Sequence, residues 1–425
     1  VNVRANNLLL TCAMEYGAGG VQVIFRDLVR WLERSGRRVH VLQCAALPGV
    51  RPVERVNEWG RHAIYCPMPA VLGAGSRVNV PVLAAYLPLT VLHLIRLIRR
   101  RRIDLVNAHF LSPHFVHLAI AARLTRTPFV LSVHGADIDA YTAADSRVRR
   151  LLLQRIVRSA DRIVACSAAL AEQMAAAFPD ARAKTTWVHN AFDDSREDVP
   201  LEAPPVPPPF LLCVARHVAK KGIDTLLHAF ARITGELPGV KLVLVGDGPL
   251  FAEHEALARR LGVAGQVLFT SEIPPARVAP FIASCAVFVL PSRAEPFGLV
   301  VLEAAHYSRP IVATRVGGVP EIMTDGVDAL LVEPDDPEAM ASRILTLLRQ
   351  PELAARIGAR GRETVHTRFL WKDRIHDYIG VYEGGSGQGS IATNGPAEAG
   401  PHISLGPPEG GPHSYQVRLK AGPHT

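Results

Sequence analysis

The chain has 425 residues, 48 % hydrophobic and 20 % charged, which excludes a disordered or fibrous polymer and leaves room for two globular domains plus extras. A formal net charge of +8 and a pI near 9.4 favour anionic partners such as nucleotide phosphates or acidic lipid surfaces, although a mildly basic surface also serves plain solubility. Cys12, Cys44, Cys66, Cys166, Cys213 and Cys285 include no CxxC pair; they read as buried thiols of a reducing compartment rather than a disulfide framework or a zinc site.

In chain order, Asn7–Cys12 reads as a strand and Gly17–Gly20 as a glycine loop. Val21, Ile24, Leu28, Trp31 and Leu32 then fall at helical spacing up to Gly36. Strands follow at Arg38–Leu42, Leu105–His109, Phe129–Val133 and Arg162–Cys166. Strand alternating with helix argues for a mostly parallel sheet over residues 1–195. Within it, Val78–Ile98 is apolar but broken by Asn79, Pro81, Pro88, His93 and Arg96, too broken for a spanning helix. Arg99–Arg102 follows directly, so the segment suits either an anionic membrane surface or an ordinary packed helix with a solvated basic end. No signal-peptide pattern opens the sequence. The expected setting is cytoplasmic, peripheral on the inner membrane face if that segment docks there.

Residues 196–209 carry Pro200, Pro204, Pro205, Pro207, Pro208 and Pro209; proline lacks the N–H that a ladder needs, so this is a linker. A second unit over 210–365 has strands at Phe210–Ala215, Lys241–Val245, Gln266–Phe269, Ala286–Leu290 and Ile311–Ala313. Helices are expected near 222–234, 250–261, 276–284, 297–307 and 337–349. Phe369, Trp371, Ile375, Tyr378 and Tyr382 line one face of a last helix over 366–383. From 384 to 425, Gly, Pro, Ser and His dominate and predict a low-complexity tail.

The chemistry gathers at strand ends of the second unit. Arg216 and Lys221 follow its first strand and precede a helix, which suits a diphosphate; a solvated basic loop is the plainer reading. Gly246-Asp-Gly-Pro249 is a glycine turn lacking the rest of a dinucleotide fingerprint. Glu295 lies on the loop after Ala286–Leu290, and Glu303 lies inside the next helix. Open α/β sheets bind ligands in that crevice, and acidic residues there accept hydrogen bonds from a ribose diol. Glu295 alone is equally served by a helix-dipole role. The Gly298 and Leu299 N–H groups face the same place, with Gly298 permitting close approach. Thr314–Glu321 adds another glycine turn.

Together these residues resemble the retaining, nucleotide-sugar-dependent glycosyltransferases of family 4 (glycosyl transferases group 1) over roughly residues 7–382. The Glu-x7-Glu element at Glu295 and Glu303 is the most specific part. Arg216, Lys221 and Gly222, Gly246–Pro249, Gly317–Glu321, and Phe369, Trp371 and Tyr382 match in order. The resemblance implies the GT-B fold: two Rossmann-like doubly wound α/β domains facing a central cleft, the acceptor side first, with a C-terminal helix returning to the first domain. It implies that Glu295 contacts donor-sugar hydroxyls and Glu303 holds the ribose. Arg216 and Lys221 would hold the diphosphate, with Ile273 beside the base and Phe297, Gly298 and Leu299 lining the donor. Gly19 and Gly20 resemble the glycine loop beneath the phosphates, and His134-Gly-Ala-Asp137 the His-Gly-x-Asp loop near the reacting sugar. Asn190-Ala-Phe-Asp193 departs from the family's Asn-Gly at Ala191. Asp137-Ile-Asp139 has the spacing of a metal-binding pair but sits in the other domain from the phosphate cations, and reads as incidental.

The expected activity is hexosyl transfer from a nucleotide diphosphate sugar to an acceptor hydroxyl, with retention, no metal and no further cofactor. The partners expected are that donor, a glycan or lipid-linked acceptor in polysaccharide or glycolipid synthesis, an anionic membrane surface, and no nucleic acid. A nucleotide-sugar epimerase, a sugar phosphorylase or a non-catalytic glycan- or nucleotide-binding protein would share the same fold signals.

Overall fold

The computed structural model describes residues 5–13, 20–44, 51–69, 78–142, 146–194, 204, 206–271, 273–385 and 387–390. In the first half the strands are β1 (Asn7–Cys12), β2 (Arg38–Cys44), β3 (Val53–Val56), β4 (His62–Cys66), β5 (Leu105–His109), β6 (Phe129–Val133), β7 (Arg162–Ala165) and β8 (Thr185–Trp187). In the second half they are β9 (Phe210–Val214), β10 (Lys241–Val245), β11 (Val267–Thr270), β12 (Val287–Leu290), β13 (Ile311–Thr314) and β14 (Leu330–Val332). A last short strand, β15 (Gly389–Ser390), returns to the first sheet.

The first sheet runs β15-β8-β7-β6-β5-β1-β2-β4-β3, parallel except at its two edges, where β3 and β15 pair antiparallel. The second runs β11-β10-β9-β12-β13-β14, all parallel. Strands buried on both faces must be apolar throughout. Leu8, Leu9 and Leu10 of β1 and Val287, Phe288 and Val289 of β12 are fully buried accordingly. Strand order reverses between β1 and β5 in one sheet and between β9 and β12 in the other. Those reversals open a crevice at the carboxyl ends of the strands, where doubly wound sheets bind ligands. This is the two-domain α/β architecture expected of the GT-B fold.

Helix Trp371–Tyr382 packs on helix Gly20–Arg34 of the first domain, with Trp371, Ile375, Tyr378 and Tyr382 buried along one face. Burying each such side chain stabilises by about 1.5–3 kcal/mol, which holds the chain's end across both halves. Helix Pro351–Arg368, which the apolar pattern did not single out, leads into it.

Four short strands also escaped sequence reading. β3 is exposed throughout, and β4, β8 and β14 are only three to five residues long. The expected tail is corrected at its start, since Gly389 and Ser390 pair with Trp187 and Thr186, and Gln388 N–H donates to the Trp187 carbonyl at 3.0 Å. Backbone hydrogen bonding needs no apolar side chain, so a glycine-rich segment can close a sheet edge. Residues 391–425, like most of the proline linker, lie outside the described residues.

Candidate active site between the two sheets

The second-domain half grows from the ends of β9 and β12. After β9 the chain passes exposed Arg216 and turns at Lys220–Gly222. Gly222 adopts a φ of 61°, and a Cβ there would lie 2.0 Å from the Pro291 carbonyl oxygen, so only glycine lets this loop close on the one after β12. Arg293 seals the contact. Its N–H donates to the Lys220 carbonyl at 2.8 Å, and its guanidinium grips Asp224 in a fork at 2.9 and 2.7 Å. The result sets Lys221 Nζ 2.5 Å from Glu295 Oε2, with Glu295 9 % exposed. Helix Leu299–His306 starts beside Glu295 with Gly298 at its N-cap, and Glu303 sits one turn in, half-buried.

The first-domain half centres on His134, at the end of β6. Asn107 and His109 alternate along β5, which puts both on one face of the strand. Asn107 Nδ2 donates to the Val130 carbonyl at 3.2 Å and to Ser132 Oγ at 3.1 Å, which orients the amide. Its Oδ1 therefore accepts, from Tyr382 O–H at 2.8 Å and from His109 Nε2–H at 2.7 Å. Burial pushes the His109 pKa well below its ordinary value, so the ring is neutral and its Nδ1 is an acceptor. The proton in the 3.2 Å contact between His109 Nδ1 and His134 Nε2 thus belongs to His134. Burial lowers the His134 pKa to about 4. His134 is a neutral Nε2–H tautomer whose Nδ1 remains as the ring's acceptor.

Asp137 holds this loop rather than a ligand. Its carboxylate accepts N–H bonds from Leu111 at 2.9 Å, from His134 at 3.1 Å and from Ile138 at 3.2 Å. Burial pushes its pKa up while those bonds pull it down. Asp139 instead faces the cleft, 3.1 Å from Lys220 Nζ of the other domain.

The halves touch through the loop carrying Glu295. Pro296 lies against Gly135, whose φ is 100° and where a Cβ would fall 2.3 Å from the proline Cγ. Ser167 Oγ donates to the Pro296 carbonyl at 2.6 Å while accepting from Leu170 N–H at 3.1 Å as the N-cap of helix Ala168–Ala177. Glu321 of the second domain completes that helix start, accepting N–H bonds from Ala168 and Ala169, each at 2.9 Å. His189 Nε2 lies 2.8 Å from the same carboxylate. Burial opposes its ionisation, but the His189 and backbone bonds win and hold its pKa below the usual glutamate value.

The structure thus brings Arg216, Lys221, Glu295, Gly298, Leu299 and Glu303 to one crevice and sets His134 opposite. Gly20 faces Leu299, whose Cδ1 is 2.9 Å from where a Cβ would stand. Gly19 lies outside the described residues, and Ile273 packs half-buried against the apolar core. The Phe297 ring is displaced from the role expected of it. It is 2 % exposed and packs against His189 and Phe369, so only its backbone can face a donor. Ala191 keeps a negative φ and is buried in the core, so the turn there does not need the glycine the family pattern has. Asn107, His109, Tyr382, Ser167 and Glu321 were not read as site residues. Two polar residues alternating in the otherwise apolar β5 were the available signal for the first two.

Residues 18–196 match the family described as Glycosyltransferase Family 4, and residues 194–364 match Glycosyl transferases group 1. The chain is 30 % identical to the D-inositol 3-phosphate glycosyltransferase of Acidothermus cellulolyticus over 390 residues, 86 % of this chain and 85 % of that one. It is 30 % identical to the N-acetyl-alpha-D-glucosaminyl L-malate synthase of Bacillus anthracis over 294 residues, 67 % of this chain and 75 % of that one. Among solved structures, Anabaena HepE in complex with UDP-glucose superposes with a TM-score of 0.68 at 21 % identity, covering 88 % of this chain and 98 % of that one. Sucrose-phosphate synthase of Thermosynechococcus elongatus superposes with a TM-score of 0.67 at 22 % identity, with the same coverage. With both halves matched in order and two such relatives, the chain belongs to the family-4, group-1 glycosyltransferases of GT-B fold.

Proposed function

We propose that this glycosyltransferase moves a hexosyl group from a nucleoside diphosphate sugar to an acceptor hydroxyl, with retention of configuration and without a metal ion. The observation that carries the reading is the Lys221–Glu295 contact of 2.5 Å at the β9/β12 reversal, with exposed Arg216 beside it. One carboxylate suited to sugar hydroxyls and two cations suited to a diphosphate meet at the mouth of a nucleotide-type fold.

The donor diphosphate lies against Arg216, Lys221 and the first turn of helix Leu299–His306; the ribose diol meets Glu303, and the base lies beside Ile273. Glu295 and His134 Nδ1 accept hydrogen bonds from donor-sugar hydroxyls. As the bond from the anomeric carbon to the phosphate oxygen breaks, its electron pair moves to that oxygen. Arg216 and Lys221 meet the developing charge in a site that needs no reorganisation. The acceptor oxygen attacks the oxocarbenium-like carbon on the face the phosphate leaves, and its proton passes to the leaving oxygen. Contacts of Pro296, Ser167 and Glu321 close the domains and keep water from competing. The two relatives are named for unlike acceptors, inositol 3-phosphate and malate. First-domain loops, rather than the shared donor motif, therefore select the acceptor.

Calorimetry with UDP, GDP and ADP tests the donor site. At least one binds, and Lys221→Ala weakens it by an order of magnitude or more. Absence of binding by all three overturns the reading. NMR of the product's anomeric proton tests retention, and activity in excess EDTA tests the metal-free leaving step. A donor converted without any acceptor marks an epimerase instead.

A further inference from the structure

Helix Val80–Arg100 is long and apolar enough to cross a membrane by length and composition, yet only 28 % of its most apolar stretch is buried. It cannot span, because β4 before it and β5 after it belong to one sheet, and Leu83, Val91, Leu94 and Ile98 anchor it there. What it turns outward is unusual for a surface helix. Pro81, Ala84, Ala85, Pro88, Leu89 and Leu92 are exposed, with Leu89 at 46 % and Leu92 at 40 %, and the stripe ends in exposed Arg96, Arg99 and Arg100.

Two more helices extend this face. Helix Val116–Thr125 packs beside the first, and helix Arg147–Ser159 packs beside the second, all on one side of the sheet. They add exposed Leu124, Val148 and Leu151. The three helices hold nine arginines and no Asp or Glu, more positive charge than the +8 of the whole chain, so the remainder is close to neutral. The carboxylates that meet it come from other elements: Asp180 lies 3.3 Å from Arg158 of the third helix, and Glu54 pairs with Arg101 just past the first. Solubility calls for charges of both signs interspersed, and this layer is apolar and of one sign.

We propose that the three-helix face docks on an anionic phospholipid bilayer, lying in its plane. Apolar side chains enter the acyl boundary while arginines meet the phosphates. The first helix runs antiparallel to its strands, so its apolar start lies at the cleft edge of the sheet. Docking therefore brings the acceptor side of the cleft to the bilayer, where a lipid-linked acceptor is presented. That last step rests on the glycosyltransferase reading; the docking itself does not.

The test uses the full chain with no donor or acceptor present, so its outcome is separate from activity. Phosphatidylcholine vesicles, with and without phosphatidylglycerol, are sedimented with the protein at low and high salt. The protein pellets with the anionic vesicles alone and is released by salt. Joint charge reversal of Arg96, Arg99 and Arg100 to Glu lowers binding more than ten-fold, since each arginine near such a surface contributes about a five-fold factor. Leu89→Asp with Leu92→Asp also lowers binding at fixed low salt. Nucleotide binding and the unfolding temperature report the fold of each variant; if the charge-reversed protein misfolds, the salt dependence and the leucine variant decide. Failure to pellet with anionic vesicles, pelleting indifferent to both variants, or binding of RNA in place of vesicles overturns the proposal.

Discussion

Replacing Asn107 by Leu, which has nearly the same shape, removes the group that orders the His109–His134 pair. Asn107 Oδ1 is the acceptor for both Tyr382 O–H and His109 Nε2–H, at 2.8 and 2.7 Å in a fully buried site. Its loss leaves Tyr382 O–H unpartnered, while His109 escapes by shifting its proton, so stability falls by roughly 1–3 kcal/mol, the cost of one buried donor. It also frees His109 to carry its proton on Nδ1 and donate to His134 Nε2, which moves the His134 proton to Nδ1. Under the proposed function, His134 then offers the sugar a donor where it offered an acceptor. Losing one hydrogen bond made in the transition state costs on the order of 1.5–3 kcal/mol, so kcat falls about ten- to hundred-fold. Nitrogen-15 NMR of the imidazoles reads the tautomer directly: Nε2–H on His134 in the parent, Nδ1–H in Asn107→Leu. Tyr382→Phe is the control. It removes one donor but leaves His109 bonded to Asn107, so it costs roughly 1 kcal/mol of stability and keeps both the tautomer and kcat. A parent His134 protonated on Nδ1, or equal kcat losses in the two variants, refutes the argument.

Glu295→Gln and Lys221→Ala each lower kcat at least ten-fold in a nucleotide-release assay, with the fold intact by circular dichroism; near-parent turnover in both removes them from the site. Glu321→Ala leaves the starts of two backbone N–H bonds and the His189 bond unanswered. About 3 kcal/mol of closure energy is lost, so kcat falls while nucleotide affinity of the second domain stays. Small-angle scattering should show a wider particle, and unchanged scattering and turnover would contradict the latch. Buried His117 and His134 both have pKa values lowered to about 4 by burial. Below about pH 6.5 the unfolded chain takes up protons that the folded one refuses. Their contribution is complete above that pH and is lost as pH falls toward about 4, at a slope of up to about 1.4 kcal/mol per pH unit for each. Urea unfolding at pH 7, 6 and 5 should show a steady decline, and a flat profile would refute it.

What the chain reveals before folding depends on whether an interaction is local. Glu295, Gly298 and Glu303 sit within one strand–loop–helix unit, and Arg216, Lys221 and Gly222 within another, so spacing along the sequence already carries their geometry. The two α/β halves and the proline linker are legible for the same reason, since periodicity and proline chemistry act over a few residues. The latch is not local. Glu321 reaches Ala168 across 153 residues, and Tyr382 reaches Asn107 across 275. No spacing rule joins such pairs, and each residue alone has an ordinary explanation as a helix-start acid or a core tyrosine. The Phe297 ring shows the converse limit: a local motif says where a residue lies on the loop, not which way its side chain turns once a second domain competes for it. Phe297 turns to His189 and Phe369 because burying an aromatic ring between domains stabilises closure, whereas a polar donor offers that ring little. The same loop therefore faces two ways, with Glu295 beside Lys221 in the crevice and Pro296 and Phe297 against the other domain. Under the proposed function, a substitution at Pro296 or Phe297 acts on closure, one at Glu295 acts on the sugar, and adjacent positions in one motif should separate in their kinetics.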